Sequence, residues 1–191
     1  MKLLFLAGSS RKFSWNKMLA KNAYKIAKEQ NADATFIDLK DYPMPIYNGD
    51  DEEAKGLPEK AIELKKLFIK HDGFFIASPE YNSSITPLLK NSLDWISRFE
   101  KGDEGELVAY RGKIAAISAA SPGALGGLRS LVVLRMMLSN IGVTVIPSQL
   151  AIVQAHNAFD KDGKLIEKQK HDLLKDVVTQ FISVTKALKS K

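Results

Sequence analysis

Short apolar runs alternate along this chain with segments whose apolar residues step by three and four, and nothing else in the sequence restricts its fold as tightly. Residues 3–7 form an unbroken apolar run bounded by Gly8, which suits a strand buried on both faces of a parallel sheet. From Trp15 the period changes: Trp15, Met18, Leu19, Ala23, Ile26 and Ala27 mark one face of an amphipathic helix. Residues 34–39, 74–77, 114–118 and 143–146 predict four further strands, the last broken by Pro147 and continued in extended form over 150–153. Pro58 suits the first position of a second helix, striped by Ala61, Leu64, Leu67 and Phe68 and closed by His71 as a cap. Thr86-Pro87 opens a third helix that buries Leu89, Leu93 and Ile96, with Trp95 on its flank. The fourth, over 128–141, is apolar nearly all round and is expected to be largely buried, with Gly142 as its left-handed cap. Ile166, Leu173, Val177, Phe181 and Leu188 stripe a long last helix. Five strands alternating with five helices predict an α/β three-layer sandwich, a five-stranded parallel sheet with helices on both faces, as one domain over 1–191.

Composition narrows the function. No cysteine is present, which removes disulfides, thiolate metal sites and cysteine nucleophiles. The apolar start is too short for a signal core, and Arg135 interrupts the run 131–138, so neither a membrane segment nor a membrane partner is expected and the chain reads as soluble and cytoplasmic. A formal charge of +6 raises the question of nucleic acid. The cations are dispersed, however, and Lys175, Lys186, Lys189 and Lys191 read as the solvated face and frayed end of the last helix. No nucleic-acid partner is expected; a mild field drawing in small anions fits better. Residues 40–57, with Pro43, Pro45 and an acidic quartet, read as a long surface loop, either functional or a solvated connector.

In an open parallel sheet the loops beyond the carboxyl ends of the strands hold the ligand. The first such loop carries Ser9, Ser10, Arg11, Ser14 and Asn16 ahead of a helix N-terminus, a donor set for a phosphate. The same residues also fit a plain turn with Ser14 as N-cap. The loop after the third strand carries Pro79, Glu80, Tyr81, Asn82 and Ser83; the one after the fourth carries Ser121, Gly123, Gly126 and Gly127, where backbone can approach a flat ligand closely. Together they predict a site for a planar heterocycle on a phosphorylated tail. The phosphate loop of nucleotide hydrolases and the dinucleotide fingerprint are both absent, and no aspartate ends the third strand as in a phospho-receiver domain.

Gly8-Ser9-Ser10-Arg11 with Ser14 and Asn16, Pro79-Glu80-Tyr81-Asn82 with Leu89-Lys90-Asn91 and Asp94-Trp95, and the run Gly123, Gly126, Gly127, Arg129 resemble the NADPH-dependent FMN reductase family, a flavodoxin-like group with quinone, azo and chromate reductases. The resemblance implies FMN held through its phosphate by Ser9, Arg11, Ser14 and Asn16, with Trp15 in the same loop. It implies an isoalloxazine lined by Pro79, Glu80, Tyr81, Asn82 and Ser83 and edged by the stretch 118–123, with Ser118, Ser121 and Gly123. Ala119 and Ala120 stand where several relatives are more polar. By the same resemblance the donor is NADPH or NADH, the partner a small-molecule electron acceptor, and the assembly a homodimer or homotetramer. Hydride passes from nicotinamide to the flavin and on to a quinone-like acceptor, by a ping-pong scheme; neither a catalytic acid or base nor a metal is expected. The alternatives are a flavodoxin-type one-electron carrier, against which Arg11 and the basic charge speak, and a flavin-binding regulatory module.

Overall fold

A computed structural model describes residues 1–189 of the chain; Lys191, expected at a frayed end, lies outside them. The strands are β1 (Lys2–Ala7), β2 (Asp33–Phe36), β3 (Gly73–Ala77), β4 (Ile114–Ala120) and β5 (Thr144–Ile152), all parallel in the order β2-β1-β3-β4-β5. The helices are α1 (Trp15–Glu29), α2 (Gly49–Lys55), α3 (Glu59–Lys70), α4 (Pro87–Ser97), α5 (Leu128–Asn140) and α6 (Lys168–Lys189). Leu3 stands opposite Gly73, Gly73 opposite Ile114 and Ile114 opposite Thr144, so the carboxyl ends of the central strands finish level.

Period-two alternation sorts the strand residues into two cores. Leu3, Phe5, Phe75 and Ala116 face α1 and α6, where the Phe5 ring stacks on Phe75 at 5.6 Å and meets the Phe181 edge at 6.2 Å. Leu4, Leu6, Phe74, Ile76 and Ile117 face α3, α4 and α5. The long connection between α4 and β4 is held by a buried ion pair of Lys65 with Asp103, whose carboxylate also takes the Glu100 N–H. His71 does close α3 and is buried; its Nδ1 lies 2.7 Å from the Leu67 carbonyl, which can only accept, so Nδ1 carries the hydrogen.

Several elements differ from the sequence reading. Residues 40–57 are no free loop: Leu39–Asp41 form a 3₁₀ turn, and the acidic quartet starts α2 behind an Asn48 cap, where carboxylates suit the helix dipole. The segment is strapped to α4, since Asn91 bonds both Tyr47 N–H and the Pro45 carbonyl and the Trp95 indole reaches the same carbonyl at 2.8 Å. That contact buries Trp95, which is therefore no flank. Pro58 caps α3 instead of opening it. β5 runs unbroken through Pro147, accommodated by a register shift against β4 between Ala115 and Ile117. In α6 the buried stripe is Leu174, Val177, Val178, Phe181 and Thr185; Ile166 precedes the helix and cannot share its phase, and Leu173 and Leu188 stay exposed. α5 is not buried all round, because Leu128, Val132 and Met136 line an outward face.

At the amino end of the sheet Asp72 joins the start of β1 to the end of α6. It accepts from Lys2 N–H at 2.8 Å and from Lys189 Nζ at 2.6 Å, so Lys189 is not merely solvated. Burial pushes the Asp72 carboxyl up, but the hydrogen bonds from Lys189 and Lys2 and the nearby positive charges outweigh it, and the net shift is below the ordinary value of 3.8. A carboxylate depressed in the folded state stabilises above its unfolded pKa and loses that contribution as pH falls through its folded value. Between about pH 5 and pH 3 the urea midpoint is therefore expected to fall more steeply in the wild type than in Asp72→Asn. Identical slopes would count against the assignment.

Candidate functional site

The chain leaves β1 to one side for β2 and returns to the other for β3, so the sheet's topological switch point lies between β1 and β3. At the carboxyl ends beside that point the loops after β1, β3 and β4 enclose a cleft of about 170 Å³.

The first wall is the loop from Gly8 to Asn16. Ser9 and Ser14 are buried, and each hydroxyl oxygen accepts a backbone N–H, from Arg11 and Lys17 respectively, both at 3.3 Å. Accepting leaves each hydroxyl hydrogen free to donate into the cleft. Ser14 is the α1 N-cap, so the N–H groups of Trp15 and Asn16, at the first two helical positions, have no intrahelical acceptor. Arg11 is exposed, its guanidinium carbon 5.9 Å from the Trp15 ring centroid. Two hydroxyls, two main-chain donors, a guanidinium and a helix N-terminus make up the donor chemistry an organic phosphate takes, and they fit that group. The Asn16 side chain has a structural partner as well: its Nδ2 donates one hydrogen to the Ala120 carbonyl at 2.8 Å and its Oδ1 accepts the Ala120 N–H at 2.9 Å, so it clamps α1 to the end of β4 and keeps its main-chain N–H and one Nδ2 hydrogen for an anion.

The second wall comes from β3. Tyr81 and Ser84 exchange backbone hydrogen bonds at 2.9 and 3.0 Å, and the two residues between, Asn82 and Ser83, both have positive φ, 49° and 68°. That is a tight primed turn, for which asparagine is well suited. It presents Tyr81, 52% exposed, at the mouth of the cleft. Glu80 is mostly buried, and its Oε2 accepts the N–H groups of Arg129 (3.1 Å) and Ser130 (3.3 Å). Gly127 at the α5 N-cap position has no side chain to do this, so Glu80 caps the helix from another loop. Removing it in Glu80→Ala is expected to cost about 0.5–2 kcal/mol, the usual worth of an N-cap. Urea denaturation checks this; an unchanged midpoint would show that water caps α5 equally well.

The third wall is Ala120, Ser121 and Pro122. Of the residues singled out in the sequence, Ser9, Arg11, Ser14, Trp15, Asn16, Pro79, Glu80, Tyr81 and Ser121 line the cleft together. Asn82 and Ser83 shape the turn at its edge, and Gly123 lies outside the lining. β4 extends to Ala120, two residues beyond its expected end, and Ser118 lies wholly buried within the strand and outside the cleft lining, its hydroxyl without a hydrogen-bond partner among the described residues. Sequence reasoning did not find the Asn16–Ala120 clamp or the Glu80 cap, because neither leaves a local signal.

A parallel sheet in this order with a phosphate-type cleft at its switch point defines a flavodoxin-like α/β protein. The chain belongs to the NADPH-dependent FMN reductase family, whose model matches residues 1–157. It is 32% identical over 195 residues to a probable NADPH:quinone oxidoreductase 2 of Oryza sativa subsp. japonica, covering 100% of this chain and 92% of that protein. A quinone reductase of Escherichia coli K12 is 31% identical, with 95% of this chain and 93% of the relative covered. Among solved structures, FerB, the flavoenzyme NAD(P)H:(acceptor) oxidoreductase of Paracoccus denitrificans, superposes with a TM-score of 0.82 at 28% identity, covering 97% of both chains.

Proposed function

We propose that this protein is an NAD(P)H-dependent, FMN-containing oxidoreductase that reduces a quinone-like or other small acceptor, with residues 1–191 acting as one flavodoxin-like unit. The observation that carries the reading is the cleft itself: phosphate-type donors at the α1 N-terminus on one side, and Tyr81 with the small residues Ala120 and Ser121 on the other. Membership of the family supports FMN, and relatives named quinone reductase support the acceptor class.

When bound, FMN supplies the redox chemistry of hydride acceptance and release. The chain's part is to bind and orient. Ser9, Arg11, Ser14 and the Trp15 and Asn16 main-chain N–H groups hold the phosphate. Pro79 and Tyr81 bound the ring, and Glu80, by capping α5, keeps the second and third walls in register. No side chain is assigned as acid or base. Among the described residues no helix is long and apolar enough to cross a membrane. We place the protein in the cytoplasm, where NAD(P)H is supplied, and assign it a homodimer or homotetramer, supported by the outward apolar face of α5: Val132 and Met136 are 64% and 67% exposed.

Donor and acceptor use the same cleft in turn, so the oxidised nicotinamide must leave before the acceptor enters. Double-reciprocal plots of NADPH oxidation at several quinone concentrations are therefore expected to be parallel. Intersecting lines would require a second productive pocket and overturn the single-cleft scheme. A purified protein that retains no flavin absorbance after reconstitution with FMN would overturn the whole assignment.

A further inference from the structure

We propose that a lysine-lined groove beside the flavin cleft is a second phosphate subsite, built for the adenosine-phosphate arm of a dinucleotide; this rests on the flavin reading above. The groove has a volume of about 310 Å³ and is formed by α1, the segment after β2 and the turn at 160–164. That volume is at the lower end of the roughly 300–1,000 Å³ of small-molecule sites. Ser14 lines both this groove and the flavin cleft, so the two adjoin at the start of α1.

Charge is the first argument. Lys12, Lys17, Lys21, Lys25, Lys40 and Lys161 line the groove against two carboxylates, Asp38 and Asp162, a formal +4. Among the described residues Lys17 is the one lysine of the six with a carboxylate partner, Asp38 Oδ2 at 2.6 Å. Lys17, Lys21 and Lys25 stand four residues apart on one helix face, where like charges repel. An anion with more than one negative oxygen relieves that repulsion; a single carboxylate does so only in part.

The second argument is a preformed polar wall. Asn22, 8% exposed, donates both amide hydrogens, to the Met18 carbonyl at 2.8 Å and the Gly163 carbonyl at 2.7 Å. Carbonyls only accept, so the amide orientation is fixed, and among the described residues its side-chain oxygen accepts no hydrogen bond and stays open to solvent or a ligand. The turn it holds is itself rigid, since Asp160 Oδ1 accepts the N–H groups of Asp162 and Lys164, each at 2.9 Å. An adenosine offers an amino or hydroxyl donor to the Asn22 oxygen, and a phosphate beyond that of FMN answers the lysines. Two occupants are distinguished by the test: the NADPH donor, which has a 2′-phosphate that NADH lacks, and FAD, whose second phosphate extends beyond the flavin phosphate.

The test uses FMN-loaded protein titrated calorimetrically with adenosine 2′,5′-bisphosphate, beside a Lys21→Gln/Lys25→Gln variant. Binding is expected in the wild type and about tenfold or more weaker in the variant, with FMN affinity unchanged in both. A variant whose KM for NADPH rises while that for NADH holds identifies the donor's 2′-phosphate as the occupant. If instead its affinity for FAD falls while that for FMN holds, the occupant is the flavin's own adenylate. No binding of the bisphosphate by protein that still holds FMN overturns the subsite and leaves the flavin assignment standing. Binding undiminished in the variant overturns it as well.

Discussion

Riboflavin, which lacks the phosphate of FMN, is expected to bind this protein about 10²–10⁴-fold more weakly than FMN does. The donors that converge at the start of α1 are Ser9, Arg11, Ser14 and two unpaired main-chain N–H groups. A hydrogen bond to a charged group is worth about 1.5–3 kcal/mol, so two such bonds give about 3–6 kcal/mol, at about 1.4 kcal/mol per factor of ten. Arg11→Ala removes one partner and is expected to weaken FMN by about 1.5–3 kcal/mol while leaving riboflavin binding nearly unchanged. That selectivity separates a phosphate contact from general damage to the loop. Calorimetric titration of apo-protein reads both ligands; equal affinities would remove the phosphate role from this loop.

The second large effect concerns the turn that aims the third wall. Gly127 has φ +93°, and a Cβ placed on it would lie 2.7 Å from the Cβ of the buried Ala119 near the carboxyl end of β4. Gly127→Ala therefore meets both a left-handed backbone penalty of about 1–2 kcal/mol and an overpacking cost of about 1–3 kcal/mol, together about 2–5 kcal/mol. Gly112 is the comparison, with φ +73° and nothing within 4 Å of a Cβ placed on it, so Gly112→Ala should carry a backbone cost without the overpacking. Urea denaturation of the two variants reads the difference. Loss of FMN is expected in Gly127→Ala alone, because the α5 start it holds is the one Glu80 reaches across to cap. Equal destabilisation of the two would mean that the sheet yields at Ala119.

Two devices at this site bind sequence positions far apart, and they divide what the chain declares from what it conceals. β1, β3 and β4 were legible because each is a short, mostly apolar run, and α1 was legible from its period and its Ser14 cap, a bond spanning three residues. The make-up of the first loop was legible for the same reason: hydroxyls, an arginine and a helix start are all local. Where a side chain's partner is distant, local pattern does not show it. Asn16 belongs to the first loop by sequence, and its amide also bonds Ala120, 104 residues on. The capping role of Glu80 has no local sign, because the backbone it caps, at Arg129 and Ser130, lies about fifty residues on.

α5 makes the same point for packing. Its sequence is apolar nearly all round, and hydrophobicity alone cannot say which side meets the sheet; the tertiary structure buries Leu131, Leu134 and Leu138 and leaves Leu128, Val132 and Met136 outside. The lysines of α1 look in sequence like any solvated helix face. They become a groove only because the segment after β2 and the turn held by Asn22, 141 residues from Gly163, close around them. Periodicity, caps and loop chemistry are written within a few residues of one another, so the sequence by itself determined the layers and the first loop. The occupied side of each polar group depends on which distant strand ends the topology brings level, and that only the tertiary structure decided.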